Sequence, residues 1–136
     1  MNKKLAIASA MLAMTTIATA ENVEGVDKMI CAAAQAQICF ETGECFAATP
    51  FELQVPDFIL IDTKKRTVST TKASGANRST EFTHLTREDG LISLQGIEGG
   101  RAFSFVIEEL TGQLTAAIAR DGLTVTVFGA CTDSDL

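Results

Sequence analysis

The 136-residue chain contains no tryptophan and no tyrosine, and its one histidine is His84. Without Trp and Tyr, arginine is the only one left of the three residue types that dominate interface energetics, which argues against a strong protein–protein hot spot. A single imidazole, with no G-x-S-x-G elbow around any serine, leaves no recognisable hydrolytic constellation. His84 shares its parity with Phe82 in a strand-like stretch and reads as a packed or hydrogen-bonded residue, so no catalytic residue is assigned and no enzyme is expected. The adjacent carboxylates Glu88-Asp89 and Glu108-Glu109 point to opposite faces of a strand and make no shared acid–base pair.

Positive charge is scarce too. Lys and Arg total 11 against 17 Asp and Glu, a net charge of −6, which disfavours nucleic acid and anionic lipid as partners. The one basic run, Lys64-Lys65-Arg66, lies between two strand-like segments and reads as a solvated turn. Asp133-Ser134-Asp135 has no loop around it and reads as solvated charge rather than a calcium site. There is no C-x-x-C motif, and seven and five residues separate Cys31, Cys39 and Cys45. That spacing fits neither a zinc site nor a thioredoxin-type redox pair, so no metal or cofactor is expected.

No apolar run reaches the ~20 residues that span a bilayer. Leu5 to Thr16, interrupted only by Ser9 and Thr15, follows Lys3 and Lys4 and precedes the small-x-small triplet Ala18-Thr19-Ala20. Residues 1–20 therefore read as a cleaved signal peptide, and 21–136 as a single β domain. The processed chain loses Lys3 and Lys4 and carries a net charge of −8, nine basic against 17 acidic residues. It is expected in the periplasm or outside the cell, with no membrane insertion after cleavage and, lacking a cysteine at the cut, no lipid anchor. Four cysteines in an exported domain read as two disulfides, for which three pairings exist. Cys39–Cys45 across Glu41-Thr42-Gly43-Glu44, with Cys31–Cys131 tying the first strand to the last, is the favoured set.

From Asp57 onward strand and turn signals alternate. Phe58 to Ile61 is a continuous apolar run, expected to be buried on both faces. Thr67–Thr71 and Thr80–Arg87 follow, and Asp89-Gly90 signals a hairpin into Leu91–Gln95. Gly96, Gly99 and Gly100 frame the next turn. Phe103, Phe105 and Ile107, then Leu114, Ala116 and Ile118, then Leu123, Val125 and Val127, each line one face at a period of two. Connections this short make sequential strands antiparallel neighbours. Val26 to Cys39 is alanine-rich and has helical propensity, but a cystine to the last strand favours an extended segment. With short pieces near Phe46 and Phe51 the expectation is an all-β antiparallel meander of about eight strands. It forms a small closed or partly open barrel, or alternatively a β-sandwich, stapled by disulfides.

Pro56-Asp57-Phe58-Ile59 with Ile61-Asp62, Ala73-Ser74-Gly75-Ala76-Asn77-Arg78-Ser79-Thr80, Leu94-Gln95-Gly96, Gly100–Ser104, Thr111-Gly112 and Phe128-Gly129-Ala130-Cys131-Thr132 together resemble a group of small exported bacterial proteins of uncharacterised function. The resemblance covers most of the processed chain and implies export but no activity. Ala73-Ser74-Gly75-Ala76 is also similar to the exposed S-G loop of the exported C-type lysozyme inhibitors, which are small cysteine-bridged β-barrels. That likeness implies an inhibitor-type role for the Ala73–Thr80 loop. Asn77-Arg78 stands where that family has an aromatic residue.

Ser74, Gly75, Asn77, Arg78 and Arg101 are the candidate binding residues. Arg101 follows the glycine-rich turn and opens a strand with an aromatic face, a position from which a guanidinium would fix an anionic group at a barrel mouth. Pairing with Glu98 or Glu109 is the structural alternative. The resulting expectation is an exported binding module with a small apolar or amphipathic ligand, or else an envelope protein, as its partner.

Overall fold

A period of two runs through almost the whole domain, and it produces nine strands. The computed structural model describes residues 21–135; the expected signal peptide lies outside the described residues. The strands are β1 (Lys28–Phe40), β2 (Cys45–Ala48), β3 (Phe58–Asp62), β4 (Thr67–Thr70), β5 (Ser79–Glu88), β6 (Leu91–Glu98), β7 (Arg101–Glu108), β8 (Gln113–Arg120) and β9 (Leu123–Asp133). From β3 to β9 each strand pairs antiparallel with the next. β1 then pairs with β9 from Met29↔Asp133 to Phe40↔Leu123, which closes an eight-stranded barrel. Closure decides against the sandwich.

β1 is long enough to use two partners on its other edge. Lys28–Ala32 pairs with β3, while Ala36–Cys39 pairs with β2, which stands as a ninth strand in a hairpin beside the barrel. Ladders on both edges outweigh the helical propensity of its alanines, a preference of a few tenths of a kcal/mol per residue. Cys31 faces Cys131 in register and Cys39 faces Cys45, and both pairs are disulfide-bonded as expected. Beside the bulge at Ala33/Gln35, a Cβ at Gly129 would come within 2.0 Å of the Ala32 carbonyl oxygen, so only glycine lets β9 approach there.

Two hairpins carry positive φ at both turn residues, Asp89-Gly90 (53° and 75°) and Gly99-Gly100 (55° and 77°), the geometry that matches strand twist. Gly96 belongs to neither: it lies inside β6 opposite Phe103, whose ring occupies the space a Cβ would need. Three other expectations are corrected. Phe58 is half exposed, because β3 has a solvent face as well as an inner one. Phe51 lies in a short 3-10 turn (Phe51–Leu53), not a strand. A bulge between Phe82 and His84 reverses the parity of β5, so Phe82 is buried while His84 is exposed, its Nδ1 3.0 Å from Thr83 Oγ1.

One barrel end is sealed. Met29, Ile61, Ile92 and Ile107 are fully buried there, and Val23, from the segment leading into β1, plugs the opening. Its amide donates to the Glu109 carbonyl at 2.7 Å. Arg87 ties the plug down, donating to the Val23 and Val26 carbonyls at 3.3 and 2.8 Å and pairing with Glu109 at 3.0 Å. Asp27 completes the closure, accepting from the Thr63 hydroxyl at 2.8 Å and pairing with Lys64 at 3.2 Å. The Thr63 hydrogen bond, then Lys64, and less strongly Arg87, hold its carboxyl below the ordinary 3.8.

Candidate functional site: the open end of the barrel

An eight-stranded barrel is just wide enough for its own side chains to fill. Here the inward positions towards the other end are too small to fill it. Ala33 on β1 and Ala116 on β8 face the interior. The result is a cavity of about 330 Å³ walled mainly by apolar groups, among them Phe103, Phe105, Ile118, Val125 and Ile59. Phe103 and Phe105 pack at 5.2 Å between ring centroids, and Phe103 lies over the bare backbone of Gly96. The buried Cys31–Cys131 bridge puts Cys31 in the wall.

The mouth is polar and rich in arginine. Arg78, Arg101 and Arg120 line it together with Glu98 and Glu52. Arg78 is held by its backbone, its amide donating to Thr70 Oγ1 at 2.9 Å and its carbonyl accepting from the Thr70 amide at 2.9 Å. Its guanidinium grips Glu98 through two bonds, Nε–Oε1 at 3.3 Å and Nη2–Oε2 at 3.0 Å. Glu98 is thereby committed to Arg78 although Arg101 is its cross-strand partner, and Glu109 is committed to Arg87. Among the described residues neither Arg101 nor Arg120 has a carboxylate within ion-pair distance. Glu52 accepts from the Thr49 amide (2.8 Å) and hydroxyl (3.0 Å), which fixes the Phe51–Leu53 turn and, the backbone bond first, lowers the carboxyl below its ordinary 4.5.

The five sequence candidates gather at this end, in two roles. Arg78 and Arg101 line the cavity. Ser74, Gly75 and Asn77 belong to the rim loop and do not reach the interior. Ser74 Oγ donates to the Thr71 carbonyl (2.7 Å) and accepts from the Ala76 amide (3.2 Å), while Gly75 and Asn77 adopt positive φ, 68° and 48°. They shape an exposed loop. Arg120 escaped the sequence reading, although its parity with Leu114, Ala116 and Ile118 marks it as inward. An aromatic lip also went unread: Phe40 and Phe46 meet edge-on at 6.3 Å, and both they and Phe51 are exposed.

Among the described residues no three His, Cys, Asp or Glu side chains assemble into a metal-ligand group, and no helix is long and apolar enough to cross a membrane. No protein family, characterised protein or solved structure matches the chain.

Proposed function

We propose that this protein is an exported binding module that takes an apolar or amphipathic small molecule into its barrel through the open end. The observation that carries the reading is the apolar cavity of about 330 Å³, which lies in the range of small-molecule sites and opens at one end only. Two disulfides are compatible with an oxidising, exported compartment. The competing role, an inhibitor acting through the Ala73–Thr80 loop, has the exposure of that loop in its favour. Against it, Arg78, the one hot-spot residue type the loop offers, is turned into the barrel and bound to Glu98.

Titration with a neutral fluorescent probe, N-phenyl-1-naphthylamine, tests the reading. Saturable uptake of one probe per chain is expected, reduced at least ten-fold by Ala116→Leu, which fills the cavity from β8. Absence of saturable uptake, or uptake indifferent to Ala116→Leu in a folded variant, would overturn it. Mass spectrometry of the protein from its own cells tests export directly. The expected species begins at Glu21 and is four hydrogens lighter than the reduced chain; an uncleaved or fully reduced species would speak against export.

A further inference from the structure

Arg101 opens β7 and Arg120 closes β8. The pairing of these strands runs from Ile107↔Leu114 to Ala102↔Ala119, and the next step in that register sets the two arginines opposite each other. Both share the inward parity of Phe103 and Ile118, and both line the cavity. Like charges directly opposite on neighbouring strands repel, and the nearby carboxylates do not relieve the pair. Glu98 is held by Arg78 in a two-bond grip. Glu52, the other acid at the cavity, is turned to the amide and hydroxyl of Thr49. Two guanidinium groups with no carboxylate at ion-pair distance among the described residues thus stand over an apolar chamber, in a chain whose net charge is −6.

Resting on the cavity reading above, we infer that the cargo is an anionic amphiphile. Its compact head lies between Arg101 and Arg120, and its chain runs down past Phe103 and Phe105. A planar guanidinium binds a carboxylate or phosphate through two parallel hydrogen bonds, and Arg101, half-buried, is better shielded from water than the exposed Arg120. The head would relieve the Arg101–Arg120 repulsion, so affinity and local stability rise together. The chamber sets the length. At ~30 Å³ per water-sized group, it admits on the order of ten chain atoms, which points to a medium-length chain rather than a long acyl tail.

Displacement of N-phenyl-1-naphthylamine by decanoate, decanol and decyltrimethylammonium, three probes with one chain and different heads, tests the inference. Decanoate is expected to compete about ten-fold or more better than decanol, a ratio that corresponds to one charge-assisted contact. Decyltrimethylammonium is expected to be the weakest. Arg101→Gln and Arg120→Gln should each reduce the decanoate preference, and the double variant should abolish it while decanol changes less than about two-fold. The preference should also shrink as salt is raised. If the neutral probe binds but decanoate and decanol compete equally, or the double variant keeps the preference, the headgroup assignment falls and the cavity reading stands. If the neutral probe does not bind at all, both fall. Decyl phosphate in place of decanoate tells whether the pair prefers a carboxylate or a phosphate head.

Discussion

The two ends of this barrel are built from the same strands with the same alternation, yet one is closed and the other holds a chamber. At the sealed end the inward positions carry Met29, Ile61, Ile92 and Ile107, all fully buried, with Val23 inserted from outside the sheet. Towards the mouth the inward positions include the small Ala33 and Ala116, and Phe103, Phe105 and Ile118 wall the chamber without filling it. Each end also has an inward arginine treated in the opposite way. Arg87 is surrounded by two carbonyls and two carboxylates, whereas Arg101 and Arg120 face each other without an acid. Backbone pairing makes the barrel; side-chain volume and charge balance decide which end is structure and which is site.

The largest expected effect comes from the disulfides, which divide along the same line. Cys31–Cys131 closes a loop of 100 residues across the barrel seam, while Cys39–Cys45 closes one of 6 in the exposed hairpin at the mouth. In the chain-entropy view, Cys31→Ala with Cys131→Ala should cost about 4–5 kcal/mol, and Cys39→Ala with Cys45→Ala only about 2 kcal/mol. Denaturant titration of the two double variants checks this. Equal losses would mean that the hairpin at the mouth is as integral to the fold as the seam.

Core truncation should show the same asymmetry. Ile107→Ala opens a void in a fully packed layer and is expected to cost about 2–5 kcal/mol, whereas Ile118→Ala enlarges a chamber that already exists and should cost less than about half as much. The arginines extend the comparison. Arg87→Leu leaves the Val26 carbonyl and the Glu109 carboxylate without their donor, an expected loss of about 2–3 kcal/mol. Arg78→Leu breaks a pair whose side chains are 37% and 34% exposed, and should cost about 1 kcal/mol or less. If Arg78→Leu destabilised as much as Arg87→Leu, the mouth would be a structural element and its charge balance no guide to a ligand.

Much of this was legible in the sequence, and what was not has physical causes. The Phe103-Phe105-Ile107 and Leu123-Val125-Val127 faces fix inward parity because a strand has a period of two, and the Asp89-Gly90 turn fixes its hairpin. The expected Cys31–Cys131 bridge favours an extended β1 at the sheet, but the choice between barrel and sandwich is made only by the β1–β9 ladder, since a bridge can also join two packed sheets. The chamber was not legible, because it arises from a mismatch between distant side chains. Ala33 and Ala116 look ordinary until the fold sets them on the two strands that flank β9, both facing one interior. Of the two readings of His84, packed or hydrogen-bonded, the second holds, because a bulge turns it away from the core without any local signal in the sequence. Arg101 stands out by its glycine-rich approach; Arg120 shares the inward parity of Leu114, Ala116 and Ile118, but that it stands opposite Arg101 follows only from the pairing of β7 and β8.

The smallest expected effect is acid sensitivity, and it too should differ between the ends. Thr63 first, then Lys64, lowers Asp27 below 3.8, and the Thr111 hydroxyl lowers Glu108 below 4.5, both at the sealed end. Glu52, lowered chiefly by the Thr49 amide, is the counterpart at the mouth. A carboxyl with a depressed folded-state pKa stabilises the fold at pH above its ordinary value, and that contribution disappears as pH falls through the folded value. Stability should therefore hold from neutrality to about pH 4.5 and then decline. Asp27→Asn should flatten the acid limb for amides near the plug, such as Val23 and Cys131, and leave those near Leu53 unchanged. Glu52→Gln should do the reverse. Hydrogen exchange between pH 3 and pH 5, expressed as protection factors, separates the two; a uniform response across both ends would mean that the barrel opens as one unit, with no local weakness at its mouth.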